Sequence, residues 1–99
     1  MTDKFVSPEK PPEGLTRELL VILMEECAEV QHRAAKILRF GLGETEPEQP
    51  LKNTERLAQE VGDLICVIDK LVARGVMDGE QIREASVAKQ VKLAKYLQS

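Results

Sequence analysis

Four acidic side chains stand in two pairs of the same spacing, Glu26-x-x-Glu29 and Glu60-x-x-Asp63. Residues three apart share a face of an α-helix, so a helical segment would set each pair side by side. Projected at about 100° per residue from Leu19, the residues Leu19, Leu23, Cys27, Val30, Ala34, Ile37 and Leu38 form an apolar stripe, which Ile22 and Phe40 extend. Glu26 falls inside that stripe at about 340°, Glu29 on its border at about 280°, and Glu25 further out at about 240°. The same projection from Leu57 places Glu60 at about 300°, between Val67 and Leu71, and Asp63 on the flank at about 240°. Each segment therefore carries an acid pair with one member on the face that should turn toward the core.

Such a placement works against folding. Like charges one turn apart destabilise a helix by about 0.2–0.5 kcal/mol, and taking an ionised carboxylate out of water costs several kcal/mol more. Arg33 lies four residues after Glu29 and Arg56 four before Glu60, but no cation stands three or four residues from Glu26 or Asp63. Two antiparallel helices could bring the pairs together around one point. A hard divalent cation would neutralise that cluster. Mg²⁺, with Mn²⁺ as a substitute, suits all-oxygen ligands and keeps waters that leave room for substrate phosphates. The competing reading is structural: Glu26 and Glu60 as acids paired with arginines, and Glu25 as part of a solvated face.

The elements that must position these residues follow from periodicity and punctuation. Pro8, Pro11, Pro12 and Gly14 make residues 1–14 an extended arm, and residues 15–99 a single domain. The pattern predicts a helix over 16–40, capped by Thr16 and stopped at Gly41, then a Gly- and Pro-containing loop over 41–52. A second helix, capped by Asn53 or Thr54, runs to Arg74 and ends at Gly75. Gly62 inside it costs roughly 1 kcal/mol relative to alanine unless close packing needs the missing side chain. Asp78 and Gln81 are spaced as a capping box for a third helix over 79–97. No segment alternates with period two, so the expected fold is all-α.

Composition narrows the function classes. The 99 residues hold 14 Lys plus Arg against 17 Asp plus Glu, a net charge of −3, which disfavours nucleic acid as a partner. No apolar run approaches the ~20 residues that span a bilayer, and the N-terminus lacks a signal-peptide core, so no membrane and a cytoplasmic location are expected. Cys27 and Cys66, the two cysteines, read as small buried or half-buried thiols of a reducing compartment. A phosphate-binding G-x-x-x-x-G-K-[ST] loop is missing, no Cys or Ser is flanked by a base, and the single His32 projects away from the stripe. With one Tyr, two Phe and no Trp the core is thin, which leads to the expectation that three main helices per chain form a bundle completed by a homodimer or homotetramer.

Glu25-Glu26-Cys27-Ala28-Glu29 followed by Glu60-Val61-Gly62-Asp63 resembles the EExxE…ExxD signature of MazG-like, all-α nucleoside triphosphate pyrophosphohydrolases. The resemblance covers about residues 16–97, and the spacer of residues 30–59 is long for the family. It implies hydrolysis of the bond between the α and β phosphates of a nucleoside triphosphate, giving a monophosphate and pyrophosphate, with Mg²⁺ held by the motif acids. Carried over, Glu26, Glu29, Glu60 and Asp63 would be the metal ligands. Glu25 would hold a second ion or orient the attacking water as the catalytic acid of the motif.

For the phosphates, Lys89 projects into the apolar face of the third helix and Lys92 onto its edge, one turn apart. Similar lysines follow the acidic motif in MazG-like proteins. They are read as phosphate contacts, against the alternative that Lys89 pairs with an acid or snorkels. Arg33 and Lys36, near the acidic edge of the first helix, are further candidates. Phe40 and Phe5 could stack on a base or simply pack. Two other functions stay open: a phosphoribosyl-ATP pyrophosphatase, whose acid motif is similar, and a non-catalytic helical scaffold whose acids form ion-pair networks.

Overall fold

The computed structural model describes residues 10–45 and 50–97. These contain three helices and no strand: α1 (Gly14–Phe40), α2 (Asn53–Ala73) and α3 (Gly79–Tyr96). The all-α expectation holds, and each helix lies within two residues of its predicted limits. Phe5 and residues 1–9 of the expected arm lie outside the described residues, as do 46–49 of the loop; residues 10–13 are non-helical and Gly14 already opens α1.

The helix ends show where local chemistry was read correctly and where it was not. Gly41 stops α1 with a φ of 108°, a region that a Cβ disfavours, while its N–H donates to the Ile37 carbonyl at 2.8 Å. α2 ends in a Schellman arrangement: Gly75, at φ 80°, donates to the Val72 carbonyl at 2.9 Å and Val76 to the Leu71 carbonyl at 3.0 Å. Asp78 caps α3 by accepting from the Glu80 N–H at 3.0 Å. Thr16 is not the cap of α1. It lies inside the helix, and its hydroxyl oxygen accepts from Arg74 Nε at 3.1 Å, joining the start of α1 to the end of α2. Asn53 does not cap α2 either: its side chain turns to α1 and the loop, as described below.

α1 and α2 pack antiparallel along each other, and their seam holds the core. Leu19, Val67 and Leu71 are buried, with Leu20, Leu23 and Met77 packed against them. Leu71 is wholly inaccessible. Burying a leucine contributes about 1.5–3 kcal/mol, so a seam of this size makes a marginal hairpin. Leu38 and Phe40, expected on the core stripe, are exposed. Cys27 and Cys66 are exposed as well, correcting the expectation of buried thiols. α3 turns away at Gly75–Asp78 and buries no side chain, so the described chain extends to 57 × 37 × 19 Å. No helix among the described residues is long and apolar enough to cross a membrane.

Gly62 is exposed, and a Cβ added there meets nothing within 4 Å, so no contact among the described residues requires glycine. Gly62→Ala is expected to stabilise α2 by about 0.5–1 kcal/mol, seen as a higher midpoint in thermal unfolding followed by circular dichroism. A lower midpoint would mean that another chain approaches α2 at this position.

Candidate metal centre

The antiparallel packing carries the acid pairs to one place. Glu26 of α1 and Glu60 and Asp63 of α2 each offer a carboxylate oxygen, and these oxygens lie within 4.8 Å of one another. Glu26 and Glu60 are half-buried and Asp63 is exposed, so the group opens to solvent on the α2 flank. Glu29 stands beside Glu60, close enough for a hydrogen bond between the two carboxyl groups to help hold the Glu60 proton. The motif acids from both helices are therefore one cluster, with Glu25 near enough for its charge to act on Glu26.

The electrostatics follow from that crowding. Burial raises the proton affinity of Glu26 above the usual carboxylate range, and the charges of Asp63, Glu29 and Glu25 push the same way. Burial also raises that of Glu60, followed by the Glu29 hydrogen bond and the charges of Glu29, Asp63 and Glu26. Both shifts have one meaning: negative charge at this point is held against its own repulsion and against lost hydration. The donor set is all carboxylate oxygen, with no thiol or imidazole among the three converging atoms, which fits a hard divalent ion such as Mg²⁺ and does not fit a thiolate or histidine zinc site.

The cluster sits between two different layers of the same seam. Seven residues before Glu26 is Leu19 and seven after Glu60 is Val67, both buried. Seven residues after Glu26 is Arg33 and seven before Glu60 is Asn53, again both buried. Seven residues make about two turns, so apolar layer, acids and polar layer follow one another along one line. The Arg33–Asn53 contact escaped the sequence reading. The equal spacing on either side of the acids was the signal for it.

The remaining expected site residues are placed as follows. Arg33, expected at the phosphates, is 4% exposed, and its Nη1 donates to Asn53 Oδ1 at 3.3 Å. Lys36 is half-buried one turn further along α1. Lys89 and Lys92 are exposed on α3, a helix without a buried side chain, and the chain does not pack them against the acids. His32 shares an open groove with Glu25, Ala28 and Glu29 beside the cluster. Phe40 is exposed at the end of α1, with the Arg39 guanidinium 5.1 Å from its ring centre.

No protein-family model, curated protein or solved structure matches the chain.

The raised proton affinities make a signed prediction. A carboxyl that holds its proton more tightly folded than unfolded favours the fold at low pH, and this contribution is lost as pH rises from about the ordinary value of 4.5 through the raised one. Without divalent ions, Glu60→Gln should therefore unfold at a higher temperature than wild type at pH 7, and the difference should shrink as pH falls toward 4.5. Melting curves in chelator-treated buffer across that range decide it. A variant less stable at pH 7 would show the cluster to be relieved by its neighbours.

Proposed function

We propose that this chain is a Mg²⁺-dependent nucleoside triphosphate pyrophosphohydrolase of MazG type, acting in the cytoplasm, with Mn²⁺ as a substitute ion. The observation that carries the reading is the convergence of Glu26, Glu60 and Asp63, the acids of both half-motifs, on oxygens within 4.8 Å of one another. A chain with a net charge of −3 needs a cation to hold a polyphosphate, and the acids gather where a cation would be held. Glu26, Glu60 and Asp63 would hold it, with Glu29 bonded to Glu60 as the fourth ligand. When bound, the ion offsets phosphate charge and polarises a phosphoryl oxygen. Glu25, one residue outside the stripe, orients the water whose oxygen bonds to phosphorus as the link between the α and β phosphates breaks. The products are a nucleoside monophosphate and pyrophosphate.

The reading extends to assembly. The radius of gyration is 17.9 Å, against about 13 Å for a compact domain of this length. α3 presents Ile82, Val87, Val91 and Leu93 to solvent, while α2 leaves Val61 and Ile65 uncovered. In a homodimer or homotetramer these apolar surfaces cover each other, and α3 of one copy brings Lys89 and Lys92 toward the phosphates held by another. Sedimentation equilibrium at micromolar concentration is expected to give two or four chains per particle, and a monomer would remove this part of the reading.

A pyrophosphate-release screen over nucleoside triphosphates and phosphoribosyl-ATP with Mg²⁺ tests the activity. Release from nucleoside triphosphates is expected. Glu26→Gln and Glu60→Gln should each lower kcat/KM by roughly 100-fold or more, the scale of losing one charge-stabilising group, without loss of helicity by circular dichroism. Release confined to phosphoribosyl-ATP would reassign the substrate. Silence over the whole panel, together with no Mg²⁺-dependent thermal shift, would leave the acids as structural groups of a scaffold.

A further inference from the structure

We propose that Arg33 and Asn53 are positioning residues: their buried contact sets the register of α1 against α2, and through it the geometry of the acid cluster. Among the described residues they are the polar or charged side chains that are buried, at 4% and 1% exposure. The contact is cross-helix, Arg33 Nη1 to Asn53 Oδ1 at 3.3 Å, and Asn53 Nδ2 also donates to the Gly41 carbonyl at 3.1 Å. One amide thus joins the body of α1, the residue that ends α1 and the first residue of α2. The backbone reinforces it: the Asn53 N–H donates to the Glu44 carbonyl at 2.9 Å and the Thr54 N–H to the Leu42 carbonyl at 3.2 Å.

The apolar layers alone leave the register open. Hydrophobic burial is non-directional, so a slip of one turn, about 5.4 Å, exchanges Leu19 and Val67 contacts for similar ones along two long apolar stripes. A slip in the direction that carries Arg56 toward Glu26 would also separate Glu26 from Glu60 and relieve their repulsion, so the acids themselves favour it. The Arg33–Asn53 contact opposes it, because a hydrogen bond is directional and a slip would strand a buried guanidinium and a buried amide. Single buried polar groups fix register between packed helices in the same way. The Thr16–Arg74 hydrogen bond at the other end of the seam is exposed and competes with water, so it holds the register less firmly. Arg33 and Asn53 stand seven residues from Glu26 and Glu60, about 10 Å along the helices, and act on the cluster through the helix axes rather than by touching its ligand.

The consequence for ion binding rests on the proposed metal site, whereas the register does not, and the test separates them. Cys27 and Cys66 are the only cysteines, one on each helix, and both are exposed. Nitroxides on these thiols, in protein diluted with unlabelled chain, report the inter-helix distance by double electron–electron resonance. Wild type should give one narrow distance. Asn53→Ala should broaden it or displace it by about one turn, ~5 Å. In unlabelled protein, Mn²⁺ binding followed by electron paramagnetic resonance should weaken at least fivefold in Asn53→Ala. Leu71→Val, which loosens the apolar end of the seam, should leave both the distance and the Mn²⁺ affinity at wild-type values. Asn53→Asp keeps an acceptor for Arg33 and should restore much of the wild-type distance. If Asn53→Ala does not fold, Asn53→Asp and Arg33→Lys carry the same two measurements, and the shift should be larger for Arg33→Lys. An unchanged distance in Asn53→Ala, or in Arg33→Lys where Asn53→Ala does not fold, overturns the proposal. A wild type that binds no Mn²⁺ defeats the metal site while the distances still decide the register.

Discussion

Carboxylates brought together on a helix–helix seam repel one another, and everything else in this hairpin is arranged around holding them there. Glu26, Glu60 and Asp63 offer oxygens within 4.8 Å of one another, and Glu29 stands beside Glu60. Left to themselves, α1 and α2 would slide or splay until the charges reached water. On one side Leu19, Val67 and Leu71 supply cohesion, which resists splaying but is indifferent to sliding. On the other side Arg33 and Asn53 supply a directional contact, which resists sliding. The two layers oppose different escapes, and the acids lie between them.

The helices and the acid cluster were legible because their signals are local. An apolar stripe of period 3.6, glycines that stop helices and acids spaced by three residues depend on one segment at a time, and one antiparallel pairing is enough to bring the two half-motifs together. What escaped the sequence depends on which segment meets which. Asn53 reads as a helix cap because asparagine before a helical run usually is one, yet its amide is drawn to Arg33 and the Gly41 carbonyl once α2 folds back on α1. Thr16 was misplaced for the same reason, its hydroxyl being taken by Arg74 from the far end of α2. Cys27, Leu38 and Phe40 share the stripe with Leu19 and are exposed, because a stripe records only what wants covering and not how wide a face the partner helix covers.

α3 makes the same point from the opposite direction. Its start follows from Asp78, whose carboxylate caps the first turn, and from Gly75, whose positive φ turns the chain out of α2. Nothing local tells it where to lie, and it buries no side chain. A helix of this length gains most of its stability from packing rather than from propensity, so an uncovered α3 is energetically incomplete. Its apolar side chains and its lysines, Lys89 and Lys92, are therefore open to one and the same event, the approach of another surface.

Stability and the proposed function are in opposition at the acid cluster, and that opposition says something about sequence choice. If the cluster served stability alone, Glu26 and Glu60 would be better replaced by leucine or glutamine, since each stands on or beside an apolar stripe and holds its proton more tightly than a free carboxyl. The seam is too small to carry such a burden without consequence, because only a few side chains are buried there. A ligand that binds the folded state and not the unfolded one returns stability by mass action, and a divalent cation at this point would do so while removing the repulsion itself. The fold would then be coupled to the ion: loose when the acids face one another alone, firm when they face a common charge. Arg33 and Asn53 would matter most in the first condition, when repulsion is unrelieved and a directional contact keeps the acids opposed.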